Sequence, residues 1–194
     1  MAQMRIIAGE ARGRRLHTPK DDSIRPLLDQ IRESIFSSLD SVLVDRYVLD
    51  LFSGIGSFGL EALSRGARRA VFVDLSASSL AILRRNIESL SFGPRSEIIQ
   101  GDALRVPQLS GNGEGTFGVV FLDPPFKMFD SLEGAGTVFN RVQQILLSPS
   151  VATDGVVLLR YPSKFRGDCP LKADSRKVHG QSVVLLFRRG GPSS

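Results

Sequence analysis

Residues 48–59 read Val48-Leu49-Asp50-Leu51-Phe52-Ser53-Gly54-Ile55-Gly56-Ser57-Phe58-Gly59. An apolar run interrupted by one acid, then glycines at G-x-G-x-x-G spacing, predicts a buried strand, a tight turn and the start of a helix. In α/β folds a nucleotide cofactor approaches the backbone at such a turn. The glycines alone would suit a dinucleotide, whose pyrophosphate sits on the helix N-terminus. Asp50 argues otherwise, because a carboxylate at the strand end repels a pyrophosphate. S-adenosylmethionine (SAM) carries no phosphate, and its sulfonium and ammonium favour a nearby carboxylate. Charge therefore favours SAM over NAD, and no partner for hydride transfer is evident in the sequence.

Three further apolar runs end in acids. Ala70-Val71-Phe72-Val73 leads to Asp74, placed to accept hydrogen bonds from ribose hydroxyls. Ile98-Ile99-Gln100-Gly101 leads to Asp102-Ala103, where a carboxylate would accept from an adenine amino group. Val119-Val120-Phe121-Leu122 leads to Asp123-Pro124-Pro125-Phe126. The prolines stiffen this turn and aim its carbonyls in fixed directions. A carboxylate, a fixed carbonyl and an aromatic face suit a planar base with an exocyclic amino group. Asp123 and a proline carbonyl take the amino hydrogens and Phe126 stacks on the ring, so the nitrogen lone pair is aimed at an electrophile. An Asp-Pro turn or a helix N-cap is the plainer reading of each acid taken singly. Four in succession, on one edge of a parallel sheet, point to a site.

Length and composition fit this picture. The chain has 194 residues, 42% of them hydrophobic and 23% charged, enough for one α/β domain with a sizeable core. It shows no membrane-length apolar run and no signal-peptide core at Met-Ala-Gln-Met-Arg, so a cytoplasmic protein is expected. One cysteine, Cys169, excludes an internal disulfide, and with only His17 and His179 no metal site is expected. The net charge of +5 is uneven: residues 1–20 hold Arg5, Arg12, Arg14, Arg15 and Lys20 against Glu10. Such an arm favours a polyanion, nucleic acid above all.

Residues Arg5–Ala8 and Arg14–His17 are expected to pair as a hairpin, followed by a helix carrying Leu28, Ile31, Ile35, Phe36 and Leu39 after Pro26. Leu80, Leu83, Ile87 and Leu90 mark a second helix, with Arg84 and Arg85 toward solvent, and Val138, Val142 and Ile145 a third. Gly111–Gly115 reads as a loop, Val156–Leu159 as a fifth core strand, and Lys172–Val178 with Ser182–Phe187 as a terminal hairpin. The expected organisation is a basic hairpin and helix over 1–40, a catalytic domain over 41–189 and a disordered tail over 190–194.

The chain resembles the RsmD family of bacterial methyltransferases, which modify N2 of a guanine in 16S ribosomal RNA. The resemblance covers nearly the whole chain. It is carried by Arg5-Ile6-Ile7-Ala8-Gly9 with Arg12-Gly13-Arg14-Arg15-Leu16, by Arg25-Pro26 with Asp29, Arg32, Glu33 and Phe36, and by Leu49–Gly56. Gly59-Leu60-Glu61-Ala62-Leu63-Ser64-Arg65-Gly66-Ala67 and Asp123–Phe126 complete it. The resemblance implies a class I SAM-dependent methyltransferase fold: a Rossmann-like, seven-stranded, mainly parallel sheet with an antiparallel last strand, plus an N-terminal β-hairpin and helix. It implies that Asp50, Phe52, Ser53, Gly54 and Gly56 line the methionine side of SAM, with Asp74 and Leu75 at the ribose and Asp102 and Ala103 at the adenine. Asp123, Pro124, Pro125 and Phe126 are then the catalytic set. Arg5, Arg12, Arg14, Arg15 and Arg25 are then the contacts to 16S rRNA, within the small subunit or a late assembly intermediate, for a protein acting as a monomer. Two positions depart from the family: Leu27 stands where many members have Thr after Arg-Pro, and Arg160-Tyr161 where members often carry Glu. The alternatives are an N6-adenine methyltransferase acting on DNA or RNA, which would share the Asp-Pro-Pro-Phe chemistry, and a non-catalytic RNA-binding assembly factor.

Overall fold

A computed structural model describes residues 4–19, 29–105 and 117–190. Lys20, Arg25, Pro26, Leu27 and Leu28, the glycine-rich loop at 111–115 and the end of the chain from 191 lie outside the described residues.

The apolar runs become strands: β1 (Tyr47–Leu51), β2 (Arg69–Asp74), β3 (Ser96–Gln100), β4 (Phe117–Leu122) and β5 (Val151–Pro162), then the hairpin β6 (Ser175–His179) and β7 (Ser182–Arg188). They form one sheet in the order β3-β2-β1-β4-β5-β7-β6. The pairs from β3 through β5 are parallel, and β7 runs antiparallel to both of its neighbours. This is the mainly parallel sheet with an antiparallel last strand that the sequence implied, and it is the class I methyltransferase architecture. Strand order reverses between β1 and β4, and ligands of such sheets bind at the carboxyl ends beside that reversal.

Helices α1 (Asp29–Ser37), α2 (Asp40–Leu43), α3 (Ser57–Ser64), α4 (Ala77–Ser89) and α5 (Leu132–Leu147) cover the sheet. Alternate strand residues feed two core layers, as the two-residue period requires. Val119 and Phe121 pack with Phe36, Phe58, Leu80 and Leu83 on one face. Val120 and Leu122 pack with Val138, Phe139 and Val142 on the other. The Ser76 and Ser131 hydroxyls cap α4 and α5 by accepting from the Ser79 and Gly134 amides.

The N-terminal hairpin is a single antiparallel bridge, Arg5 to Arg15, seated deep in the first layer. Met4, Ile6 and Leu16 belong to the same core as Ile35, Phe36 and the sheet. Buried polar side chains of α3 and α4 hold it. Glu61 accepts from the Ile7 and Ala8 amides at 2.8 and 3.0 Å and from Arg65 at 2.8 Å. The Ser64 hydroxyl accepts from the Ala11 amide and donates to the Ala8 carbonyl, and Asn86 bonds both the amide and the carbonyl of His17. At Gly9, with φ of 82°, a Cβ would sit 1.8 Å from the Ser64 carbonyl oxygen, so only glycine permits the approach. Residues 4–19 and helix α1 therefore pack directly against the same core layer as the sheet. β5 is also longer than expected: exposed Thr153 and Asp154 break its apolar pattern, and the pairing with β4 shifts register there.

Candidate active site

All four acids lie at the carboxyl edge of β1 to β4. Asp50 sits within β1, one residue before its end, and is 1% exposed. Its Oδ2 accepts from the Gly59 amide at 2.8 Å, while Oδ1 is buried without a hydrogen-bond partner. Gly59 lies in the first turn of α3, whose N-cap, Gly56, has φ of 88° and no side-chain cap. The β1 carboxylate thus does the capping, since helix-end amides need an acceptor. A Cβ at Gly59 would come within 2.3 Å of the Phe72 ring, which explains the third glycine of the pattern as a helix–strand contact.

Burial pushes the Asp50 carboxyl up to about 8, with the charges of Asp123 and Asp74 adding to the rise and the Gly59 amide opposing it. The turn itself is built from left-handed residues: Phe52 has φ of 61° and Gly54 of 54°. A Cβ at Gly54 would meet nothing within 4 Å, so the turn opens there to free space. The Ser53 hydroxyl is likewise buried and unpartnered. Two orphaned polar atoms beside an open glycine turn are costly in a folded protein unless a ligand uses them.

The ribose and adenine candidates follow along the edge. Asp74 accepts from the Gly54 amide at 2.7 Å and the Ser76 amide at 2.8 Å, tying the glycine turn to the start of α4. Leu75 beside it is 69% exposed, an apolar side chain left facing solvent next to the edge. Asp102 accepts from the Leu104 amide, and Arg141 of α5 donates to the carbonyl of buried Ala103 at 3.0 Å, fixing that turn.

Asp123 follows β4 directly, and Pro124 is buried while Pro125 is exposed. The Pro125 carbonyl accepts from Met128 in a short 3-10 turn. The Pro124 carbonyl has no donor among the described residues and is the proline acceptor that stays available. Sequence reasoning assigned no role to Arg160, yet it dominates this corner. Its Nε and Nη2 donate to the two Asp123 oxygens at 2.6 and 3.0 Å, its Nη1 reaches the Ser182 hydroxyl at 3.2 Å, and its guanidinium carbon lies 4.8 Å from the Phe126 ring centroid. Burial pushes the Asp123 carboxyl up, and the charge and hydrogen bonds of Arg160 pull it back. Register offered the missed signal: Leu122 pairs with Leu159, so the next residues on β4 and β5 are Asp123 and Arg160.

Of the expected RNA contacts, Arg5 pairs with Asp29 yet stays 60% exposed, and Arg14 donates to the Ser89 carbonyl. Arg12 and Arg15 are exposed, and Arg25 lies outside the described residues. Among the described residues no group of three or more His, Cys, Asp or Glu could hold a metal ion, and no helix is long and apolar enough to cross a membrane.

The family described as "Conserved hypothetical protein 95" matches residues 4–187. The chain belongs to this family, the RsmD family. YlbH of Bacillus subtilis, named "Putative rRNA methyltransferase", is 36% identical over 193 residues, 97% of this chain and 100% of that one. The ribosomal RNA small subunit methyltransferase D of Escherichia coli is 37% identical over 125 residues, 64% of this chain and 61% of that one. Among solved structures, the Escherichia coli protein yhhF, described as a "Putative methyltransferase", superposes with a TM-score of 0.76 at 29% identity, covering 97% of this chain and 98% of that one.

Proposed function

We propose that the protein transfers a methyl group from SAM to the exocyclic N2 of a guanine in the 16S rRNA of the small ribosomal subunit. The observation that carries this reading is the shared edge. Asp50, with an unpartnered oxygen, and the Asp123–Phe126 turn stand at the ends of the adjacent parallel strands β1 and β4. Family membership and the fold support it from a second side.

The residues present fit SAM. The orphaned Asp50 oxygen and the nearby carboxylates suit a ligand that brings positive charge and no phosphate. Asp50, Phe52, Ser53, Gly54 and Gly56 would hold the methionine part, Asp74 and Leu75 the ribose, and Asp102 and Ala103 the adenine. When bound, SAM supplies an electrophilic methyl group on a sulfonium. The chain's own contribution is placement of the acceptor. The guanine leaves its stack, Phe126 covers its face, and Asp123 and the Pro124 carbonyl accept the hydrogens of N2. That grip withdraws the lone pair from the ring and points it at the donor. Asp123 need not be a strong base, because N2 becomes acidic only as the new bond forms. Positioning of this kind is worth about 7–11 kcal/mol when reacting atoms are held in near-attack geometry.

The exposed Arg12 and Arg15, with Arg5, Arg14 and Arg25, would meet rRNA phosphates. The substrate on this reading is the assembled small subunit or a late assembly intermediate, met in the cytoplasm by a monomer. The test is methyl transfer from labelled SAM to three substrates: subunits lacking the modification, naked 16S rRNA and duplex DNA, each digested and its nucleosides identified by mass. N2-methylguanosine from the subunits is expected. N6-methyladenosine would retain cofactor and fold and replace the acceptor; SAM binding without transfer to any substrate would favour a non-catalytic RNA-binding role.

A further inference from the structure

Arg160 stands where the proposed acceptor base would have to go. Its planar guanidinium presents two parallel N–H donors to the Asp123 carboxylate, at 2.6 and 3.0 Å, and lays its face on Phe126 with 4.8 Å from carbon to ring centroid. The Watson–Crick edge of guanine carries the same features: N1–H and N2–H as neighbouring donors on a planar ring. The two occupants use the same carboxylate and the same aromatic face, so they exclude each other.

We propose that Arg160 is a latch on the acceptor site, released when its guanidinium exchanges Asp123 for a backbone phosphate of the substrate RNA. The inference rests on the reading of Asp123–Phe126 as the base site. The Arg160 and Asp123 side chains are only 15% and 18% exposed. Splitting such a pair leaves two poorly hydrated charges, each needing a new partner. The incoming base gives Asp123 its donors. Arg160 retains only the neutral Ser182 hydroxyl, at 3.2 Å, so it needs an anion from outside. A nucleotide drawn out of its stack brings one, its own phosphate, and guanidinium pairs with phosphate through the same two-pronged geometry. The rim carries further cations: Lys127 directly follows Phe126, and Lys164 and Arg166 follow β5, all three exposed, with Lys164 paired to Asp130 at 3.3 Å.

Two consequences bear on selectivity. A guanine base without a phosphate opens the latch poorly, because one charge is left unpaired. Adenine replaces only half of the donor edge, since its N1 is an acceptor. Arg160 thereby selects a guanine that arrives on a phosphate backbone, and it does so as a positioning residue that leaves before the chemistry.

The test measures kcat and KM on unmodified small subunits over a range of salt concentrations, for wild type, Arg160→Gln, Arg160→Ala and Arg160→Lys. With one phosphate fewer neutralised, the two uncharged variants give a slope of log kcat/KM against log salt that is shallower by roughly 0.7–0.9. Arg160→Lys keeps the wild-type slope. A wild-type slope in both uncharged variants overturns the latch, whatever happens to kcat. Arg160→Gln retains a donor for Asp123 and guards against a folding defect in Arg160→Ala, with SAM affinity as the control. Fluorescence anisotropy of RNA binding reads the same slope difference without turnover. Failure of wild type to make N2-methylguanosine would therefore count against the proposed reaction, and an unchanged binding slope against the latch.

Discussion

The two flanks of β1 differ in how their buried carboxylates and hydroxyls are held. Beneath the N-terminal hairpin, Glu61, Ser64 and Asn86 are each bonded to backbone more than fifty residues away in sequence, and Arg32 donates through Nη2 to the Arg5 carbonyl and Asp29 while its Nε and Nη1 stay buried without a partner. At the carboxyl edge, the Asp50 oxygen and the Ser53 hydroxyl are buried and unpartnered, and Asp123 is held by a side chain occupying the place of its proposed ligand. Satisfied burial fixes a structure, and unsatisfied burial is tolerated where something else will bind. On this reading the hairpin face is scaffold and the strand edge is site.

Glu61 is the buried group whose loss should cost the scaffold most. Replacing it by Ala strands the Ile7 and Ala8 amides and Arg65, and removing one partner from a buried pair costs about 3–5 kcal/mol. For a chain of this size that lowers Tm by roughly 10 °C. Thermal unfolding checks it, and SAM affinity of the folded protein should not move. Asp50→Asn should do the reverse. It removes the charge facing the proposed sulfonium and ammonium, so calorimetry should show SAM binding weakened roughly 10- to 100-fold, the size of a charge-assisted hydrogen bond.

Asp50 also predicts a pH dependence. Its folded value of about 8 lies above the ordinary 3.8, so between those values the folded chain holds a proton that the unfolded chain releases. Stability of the free protein therefore falls as pH rises through that window, and Asp50→Asn should remove the fall, raising Tm near neutrality. A cationic ligand needs the ionised form. SAM affinity should thus climb between about pH 6 and 7.5, approaching tenfold per unit, with one proton released on binding. In Asp50→Asn that climb should be flat.

The smallest effect on stability belongs to the exposed arginines. Arg12→Ala with Arg15→Ala should leave stability within about 0.5 kcal/mol of wild type. The same pair should weaken RNA binding and flatten its salt dependence by roughly 0.7–0.9 for each phosphate left without its arginine. Unaltered RNA affinity in this double variant would remove the hairpin from the RNA surface and leave it purely as scaffold.

The edge is far more legible in the sequence than the scaffold. Apolar runs ending in acids announce strands whose carboxyl ends share one side of a parallel sheet, so local pattern is enough to place β1, β2 and β4 and their acids. The hairpin is visible as a pairing, but its depth is not. Glu61 sits in the apolar stretch Phe58–Leu63, and its partners at Ile7 and Ala8 lie too far upstream for any periodicity to show. The polar Thr153 and Asp154 make β5 look short, and their place in the strand depends on a register shift and on Arg46 pairing with Asp154. Arg160 is hidden for a related reason: its meaning lies in a cross-strand neighbour, and only the β4–β5 register supplies it.

The most direct test loads wild type and Asp123→Ala with labelled SAM and mixes each with unmodified small subunits for a single turnover. Equal SAM binding is expected, with N2-methylguanosine from wild type and transfer slowed roughly 10²–10³-fold in the variant, the usual cost of losing one preorganised polar group. Near-normal transfer by Asp123→Ala, or label on any other nucleoside, would contradict the proposed reaction.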